Sequence, residues 1–281
     1  MSQWRRITFA CLTLCVATAI PARAEPASLD KKIESVEVDG AAFRVRLAGG
    51  GVVEGRELAG ATISVALLAD TQPQRIRLTK ITTDPADPQG EVLLYDMKLL
   101  DPTTGNAQPL CERDAKDESW AFPLRGQWDR NGRHISDEGF TLTCAVDAQG
   151  KCVRFGYKPW KILPGGVRLA DYHQACIRMV RADYCGGQGT TKNGMLIDLY
   201  DVLGIQRPAR TIGHDGLRFE AAWNTEGAVC VAHTRVPEHV TLARLAKACP
   251  RLRGRLGGHA CTEARAQAGE YGPVLLFNRS R

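Results

Sequence analysis

Apolar and polar side chains alternate over short stretches between residues 35 and 99, a pattern that is typical of β-strands with one buried face. The alternation is clearest at residues 43–47 (FRVRL) and 75–78 (RIRL). Segments rich in glycine, proline and aspartate separate these stretches and predict turns. On this basis five strands are predicted, at residues 35–38, 43–47, 62–68, 75–81 and 92–99.

A helical period replaces this alternation in the second half of the chain. Apolar residues recur at three- and four-residue spacing from Leu169 to Met179, which places them on one face of a helix. This spacing predicts a helix over residues 169–184. Thr241 is a good N-cap residue and predicts a second helix over residues 241–249.

The two patterns together predict an α+β fold that is predominantly β. Residues 25–109 contain no cysteine, and we expect them to form an antiparallel β-sandwich or a barrel-like region. Residues 110–281 contain eight cysteines, and we expect a disulfide-braced region with the two helices and two β-hairpins. The hairpins are predicted at residues 140–156 and 219–234, each around a polar turn.

Residues 1–24 have the pattern of a Sec signal peptide. Arg5 and Arg6 precede a short apolar run at residues 7–20, and Ala22 and Ala24 provide small side chains at the expected cleavage site. We therefore expect export through the Sec pathway and a periplasmic or extracellular mature protein.

Two other interpretations of this first segment are weaker. The apolar run is shorter than the ~18–20 residues that a transmembrane helix needs. A lipoprotein signal would require a small residue before Cys15, where the chain has Leu14. The mature chain is therefore expected to begin at Glu25.

Composition adds little about function. The 281 residues are 44% hydrophobic and 24% charged, with a formal net charge of +6. These are ordinary values for a globular protein and argue against a fibrous or disordered chain.

The cysteines are more informative than the overall composition. An even number in an exported chain indicates disulfides, here four. No C-x-x-C motif is present, which argues against a zinc ribbon and a thioredoxin-like redox site. The eight cysteines are Cys111, Cys144, Cys152, Cys176, Cys185, Cys230, Cys249 and Cys261.

The predicted elements restrict how these cysteines pair. Cys176 and Cys185 would lie about 13 Å apart along one continuous helix, farther than the ~4.4–6.8 Å that a disulfide allows. Each should therefore pair with another cysteine. Cys144 and Cys152 could face each other across the first hairpin, and Cys249 and Cys261 could close a small loop.

The segment Arg181-Ala-Asp-Tyr-Cys-Gly186 carries a family resemblance. The chain resembles the bacterial ADYC domain-containing proteins, which are named after the residues at 182–185. The resemblance extends over nearly the whole mature chain, and it implies an exported, cysteine-rich protein without implying an activity. Further matching segments are residues 55–68, 126–129 (GQWD), 140–144 (FTLTC), 151–160 (KCVRFGYKPW), 172–176 (YHQAC), 194–201, 219–223 (FEAAW) and 276–280 (LFNRS).

The residues of this motif, Ala182, Asp183, Tyr184 and Cys185, are best explained by structural roles. The negative end of the preceding helix dipole disfavours a thiolate, so Cys185 is expected in a disulfide rather than as a nucleophile. The same dipole disfavours the Asp183 carboxylate unless it finds donors. We expect Asp183 to accept from amides of residues 186–191 or to pair with an arginine, with substrate contact as the alternative.

Four polar residues are candidates for a catalytic site: His173, Asp198, Asp201 and His214. Their spacing matches no metal-ligand signature and the chain has no nucleotide-binding motif, so neither a metal nor a cofactor is predicted. The alternative is that the two aspartates brace the turn around Tyr200 while His173 lies on a helix face. No G-x-S-x-G motif supports a serine hydrolase.

Charge is unevenly distributed. Residues 235–281 contain nine Lys or Arg against three Asp or Glu. This basic segment would suit an anionic or polysaccharide partner, although a solvated basic face is the plainer explanation. Four tryptophans fit either a sugar-binding platform or a core: Trp120, Trp128, Trp160 and Trp223.

Two functional hypotheses follow. The first is a non-enzymatic binding or structural module of the cell envelope or secretome. The second is a hydrolase-like enzyme with the His/Asp site named above. The absence of a recognised catalytic motif favours the first.

Overall fold

The structure is a computed structural model, which describes residues 33–65, 73–129, 131–209 and 216–281. The expected signal peptide at residues 1–24 and the candidate His214 lie outside the described residues. Among the helices described, none is long and apolar enough to cross a membrane.

A small antiparallel sheet opens the described chain. It is formed by β1 (Ile33–Asp39), β2 (Ala42–Leu47) and β3 (Val52–Glu54), in that order. The alternation of β2 buries Phe43 and Val45 while Arg44 and Arg46 remain exposed. Gly40 makes the tight turn between β1 and β2 with a φ of +60°, a conformation that glycine adopts without strain.

A larger sheet of six antiparallel strands follows. Its order is β4-β5-β6-β8-β9, and β7 pairs with β6 beside that path. The strands are β4 (Thr62–Val65), β5 (Gln74–Thr83), β6 (Leu93–Leu100), β7 (Ala107–Pro109), β8 (Trp120–Trp128) and β9 (His134–Cys144). The sheet thus joins strands from both sides of residue 109.

The two sheets pack against each other through aromatic side chains. The ring of Phe43 on β2 meets Tyr95 of β6 and Phe140 of β9 edge-on, with ring centroids 5.2 and 5.8 Å apart. The Tyr95 hydroxyl also accepts a hydrogen bond from the Phe43 amide at 3.2 Å. Both sheets remain open among the described residues, so the predicted antiparallel packing is confirmed and the barrel-like alternative is not formed.

The second half of the chain contains the helices. They are α1 (Ala148–Arg154), α2 (Leu169–Val180), α3 (Leu242–Ala248) and α4 (Glu263–Gln267). A hairpin of β10 (Ile162–Leu163) and β11 (Val167–Arg168) leads into α2. A four-stranded antiparallel sheet, in the order β12-β15-β13-β14, packs against α2. Its strands are β12 (Asp198–Asp201), β13 (Arg218–Asn224), β14 (Gly227–Val231) and β15 (Leu276–Ser280).

The two predicted helices are present with adjusted ends. Helix α2 begins at Leu169 but ends at Val180, because Ala182 has a φ of +49° and leaves the helical conformation. Helix α3 follows Thr241, whose hydroxyl accepts from the Arg244 amide at 3.2 Å as an N-cap. The short helices α1 and α4 were not predicted.

The described residues contain four disulfides, as the cysteine count predicts. The pairs are Cys111–Cys144, Cys152–Cys176, Cys185–Cys249 and Cys230–Cys261. The inference that Cys176 and Cys185 take different partners is confirmed.

The predicted Cys144–Cys152 pair is wrong. Residues 148–154 form α1 instead of the second strand of a hairpin. Gly150 packs this helix so closely on β9 that a Cβ at that position would lie 2.2 Å from the Cys144 carbonyl oxygen. Cys152 is bonded to Cys176 on α2 instead. The suggested Cys249–Cys261 loop is also wrong, since Cys249 pairs with Cys185 and Cys261 with Cys230. The hairpin of β13 and β14 is confirmed.

Buried ion pairs join the loop between β5 and β6 to the segment around α1. Arg154 donates to both Asp84 carboxylate oxygens, at 2.6 and 3.1 Å. Lys158, which is almost fully buried, donates to Asp87 at 2.8 Å and to Glu91 at 2.6 Å. Burial alone would raise the pKa of Asp87, but hydrogen bonds from Lys158 and from the Val92 and Gln89 amides together lower it.

We expect Lys158→Met to lower the free energy of unfolding by about 3 kcal/mol or more at pH 7, because Asp87 would lose its buried counter-charge. Urea denaturation measures this. The matched control is Lys161→Met: Lys161 pairs with Glu91 at 2.6 Å but is more exposed, so about 1 kcal/mol or less is expected.

The effect of Lys158→Met should also depend on pH. Because the pKa of Asp87 is lowered by folding, its contribution is complete above the ordinary value of 3.8 and is lost as pH falls through the folded value. The difference in the free energy of unfolding between wild type and Lys158→Met should therefore become smaller at acid pH. Equal losses in the two variants at every pH would contradict this account.

Candidate functional site

The Ala182–Cys185 motif forms the exit from helix α2. One oxygen of the Asp183 carboxylate accepts from Arg178 at 2.6 Å. The other oxygen accepts from the amides of Gly186, Gly187 and Gln188 at 2.8, 2.8 and 3.0 Å. Both arrangements that the sequence left open for this aspartate are thus present, and they hold the loop after the helix.

Tyr184 points into the core. Its hydroxyl donates to Glu220 at 2.9 Å and accepts from the Arg235 amide at 2.8 Å. Its ring stacks on Trp223, with centroids 5.3 Å apart and an interplanar angle of 24°. Burial raises the pKa of Tyr184, and the neighbouring Glu220 carboxylate raises it further, so the hydroxyl keeps its proton.

Glu220 lies at the centre of this buried cluster. Its carboxylate accepts from Arg235 at 3.0 and 3.1 Å and from Asn278 at 2.7 Å. Arg235 also donates to the carbonyls of Met179 and Val180, at 2.9 and 3.0 Å. These carbonyls belong to the last turn of α2, so the cluster ties the end of the helix to the four-stranded sheet.

Beside the motif lies an open cleft of about 850 Å³. Its walls are the β8–β9 hairpin, the β10–β11 hairpin, helix α2 and the turn between β13 and β14. Cys185 and Gly186 line it, so the motif contributes directly to the surface of the cleft.

The cleft is rich in positive charge. Six cations line it against three carboxylates: Arg125, Arg133, Lys161, Arg168, Arg178 and Arg251 against Asp137, Asp171 and Glu226.

Half of these cations are unpaired. Arg125, Arg133 and Arg168 are exposed, and none of their guanidinium groups makes a hydrogen bond or ion pair with another described residue. They come from three different places in the fold: Arg125 from β8, Arg133 from the end of the β8–β9 turn and Arg168 from β11.

Arg251 contributes positive charge to the cleft and contacts the motif directly. Its guanidinium donates to the carbonyls of Ala228, Tyr184 and Glu226, the last two at 2.8 and 2.9 Å. Burial lowers the pKa of Arg251. Gly227 is needed beside it, because its φ is +126° and a Cβ there would lie 2.7 Å from the backbone carbonyl oxygen of Tyr184.

Two of the four tryptophans named from the sequence line the cleft. The ring of Trp160 lies over Gly40, where a Cβ would approach its Cε2 atom to 3.0 Å. Trp128 is mostly buried between His134 and His173, with ring centroids 4.8 and 5.9 Å away.

The other two tryptophans lie elsewhere. Trp223 is fully buried in the core, and its Nε1 donates to Asn278 at 2.8 Å. Trp120 donates to Glu118 at 2.8 Å and contacts the Lys80 ammonium 5.1 Å above its ring.

A family model described as the ADYC domain matches residues 55–237. The chain belongs to the ADYC domain family. No curated protein and no solved structure matches it.

The matched ADYC segment contains most of the groups described above. It includes Asp183, Tyr184, Glu220 and Arg235 of the buried cluster and the three unpaired arginines of the cleft. Arg251 and Asn278 follow it in sequence but complete the cleft and the cluster. The folded unit of this ADYC protein therefore extends beyond the matched segment.

The candidate catalytic residues are not gathered in one place among the described residues. His173 lines the cleft, but burial lowers its pKa to about 4, and its Nε2 donates to the Gln149 carbonyl at 3.1 Å. It is therefore neutral at pH 7.

The two aspartates hold turns instead. Asp198 accepts from the Ala209 amide at 3.0 Å and lies 3.6 Å from Arg279. Asp201 accepts from the Tyr157 hydroxyl at 2.8 Å and from the Leu203 and Gln206 amides at 2.7 and 2.6 Å. Neither lines the cleft.

No group of three His, Cys, Asp or Glu side chains in the described part of the chain could hold a metal ion.

The density of charge along the chain does not reveal the unpaired arginines. That density pointed to residues 235–281, yet several cations there have internal partners. Arg235 pairs with Glu220, Arg265 with Glu270 and Arg279 with Glu263, at 3.0, 2.7 and 3.0 Å. Arg125, Arg133 and Arg168 are far apart in sequence. They differ from these paired arginines only in the fold, where no described acidic side chain pairs with them.

We expect Tyr184→Phe to lower the free energy of unfolding by about 1–3 kcal/mol, because the buried Glu220 carboxylate and Arg235 amide would each lose a partner. Thermal or urea unfolding measures this. The matched control is Tyr172→Phe, since the Tyr172 hydroxyl makes no hydrogen bond with another described residue. Similar losses in both variants would show that the Tyr184 hydroxyl has no special role.

Proposed function

We propose that this ADYC protein is an exported, non-enzymatic binding module of the cell envelope or secretome, and that its cleft binds an anionic ligand. The observation that carries the proposal is the set of three exposed, unpaired arginines in one cleft. Arginine suits such a role because its planar guanidinium donates two parallel hydrogen bonds to a carboxylate, phosphate or sulfate.

The size and charge of the cleft support binding of a ligand rather than a basic surface that is only exposed to water. A volume of about 850 Å³ lies within the roughly 300–1,000 Å³ usual for ligand sites. Like charges lining a cleft also focus the electrostatic field and attract a ligand of opposite charge. The distribution of charge along the chain points to residues 235–281 as a basic segment, and Arg251 brings that segment into the same site.

A non-enzymatic role is supported by how the candidate catalytic groups are used. The carboxylates of Asp198 and Asp201 accept hydrogen bonds from turn amides, and His173 is buried and neutral. A hydrolase-like enzyme remains the alternative, because His173 lines the cleft. Its signature would be turnover of the ligand that the cleft binds.

Export is supported by the four disulfides, since such crosslinks form and persist in oxidising compartments. The signal-peptide pattern of residues 1–24 points to the same conclusion.

We expect the full chain, expressed in a bacterium with an intact Sec pathway, to be recovered outside the cytoplasm with Glu25 as its first residue. N-terminal sequencing and intact-mass measurement after alkylation without reductant would test this. The mass should show four disulfides and no alkylated thiol. An uncleaved chain in the cytoplasm, or more than one free thiol, would contradict export.

Binding is tested with the triple variant Arg125→Gln, Arg133→Gln and Arg168→Gln. We expect it to bind anionic oligomers at least tenfold more weakly than wild type, because about 1.4 kcal/mol is tenfold in affinity and each lost charged hydrogen bond contributes about that much or more. Titration calorimetry at low salt, with polyphosphate and with oligogalacturonate, is a suitable measurement.

The matched control carries Arg75→Gln, Arg77→Gln and Arg244→Gln. These three arginines are exposed but do not line the cleft, so the control loses the same charge and should keep its affinity. Equal weakening in both variants would mean that net charge alone governs binding, and the proposed site would be wrong.

A further inference from the structure

Three carboxylates line the same cleft as the arginines. Asp171 lies in the first turn of α2, Glu226 lies in the turn between β13 and β14, and Asp137 lies on β9. The side chains of Asp171 and Glu226 make no hydrogen bond with another described residue, and Asp137 is largely exposed 3.4 Å from His134. The cleft therefore presents free hydrogen-bond acceptors beside its free cations.

This mixture restricts the ligand. A polymer with a phosphate on every unit would place negative charge against the three carboxylates, and like charges held close together are unfavourable. A ligand that carries hydroxyl groups between well-separated anionic groups avoids that repulsion. Its hydroxyls donate to the carboxylates, while its anionic groups accept from the arginines.

Trp160 adds a flat apolar surface. The backbone of Gly40 supports its ring from one side, and the ring lines the cleft while remaining partly exposed. A rigid, supported indole suits the apolar C–H face of a pyranose ring, since it offers a large contact area at little entropic cost. Trp128 is mostly buried, so the cleft lacks the series of open rings on which successive nucleic-acid bases stack.

We propose that the cleft binds an acidic polysaccharide, with sugar carboxylates on Arg125, Arg133 and Arg168, a pyranose face on Trp160 and sugar hydroxyls on Asp171 and Glu226. This inference rests on the proposed function, because it names the class of anion that the cleft takes. It differs from simple anion binding in one respect: the acidic residues of the cleft contribute to affinity instead of opposing it.

The decisive variants are Asp171→Asn and Glu226→Gln, which remove negative charge from a cleft that binds anions. For an acidic polysaccharide, we expect each to weaken binding about threefold or more, because a hydroxyl loses a charged acceptor. For polyphosphate, each should leave binding unchanged or tighten it, because a repulsive charge is removed. Weaker binding is therefore expected for the acidic polysaccharide alone.

The probes are tetramers of galacturonate, glucuronate and mannuronate, the methyl ester of the galacturonate tetramer, a polyphosphate of matched charge and a single-stranded DNA tetramer. At least one uronate tetramer should bind more tightly than polyphosphate and DNA, and the methyl ester should bind at least tenfold more weakly than its parent acid. Trp160→Ala should weaken uronate binding, and Trp160→Phe, which keeps a flat ring, should preserve most of it.

Trp160 also packs against the core, so the fold of its variants must be verified by thermal unfolding. The two carboxylate variants decide the question if Trp160→Ala does not fold.

Two outcomes overturn the inference and are distinguishable. If polyphosphate or DNA binds as tightly as every uronate tetramer, or if Asp171→Asn and Glu226→Gln fail to weaken uronate binding, the cleft is an anion site that does not recognise sugars. The proposed function would then stand while this inference fails. If no anion binds, or binding survives loss of the three arginines, both fail.

Discussion

The hydrogen bonds to the buried carboxylate of Glu220 are the interactions on which the second half of the chain, with its helices and four-stranded sheet, depends. This carboxylate accepts hydrogen bonds from Tyr184, Arg235 and Asn278, so a strand of the sheet, the exit of helix α2 and the last strand meet at one charged group. A carboxylate with no solvent would be costly without these partners. Because each partner lies on a different segment, satisfying this single charge determines how those segments are arranged.

That arrangement also positions the cleft. Helix α2 is held at its C-terminal end by Arg235, which donates to its last carbonyls, and by the disulfide from Cys152 to Cys176 along its length. Asp171 in its first turn and Arg168 just before it consequently line the same cleft as residues of the β8–β9 hairpin. The same fold leaves the cleft positively charged, since most acidic side chains of this half are committed to turns or to internal ion pairs.

Local sequence patterns predicted much of the fold. Alternation identified the N-terminal strands, helical spacing identified α2, and the Thr241 cap identified α3, because each signal arises from residues close together in the chain. The strand predicted after Cys144 is wrong. The local pattern there suits a strand, but close packing on β9 through Gly150 favours the short helix α1. The two suggested disulfide pairs were wrong for the same reason, because disulfide connectivity depends on which segments pack together and not on the spacing of cysteines in the sequence.

The sequence by itself determined that the protein is predominantly β, that it carries four disulfides and that Asp183 needs nearby donors, because these properties depend on local periodicity, residue counts and the helix dipole. Only the tertiary structure decided which cysteines pair, that Asp198 and Asp201 hold turns apart from the cleft, and that Arg125, Arg133 and Arg168 share one surface. Charge is visible in a sequence, but whether a charge is free depends on the partners that folding places beside it.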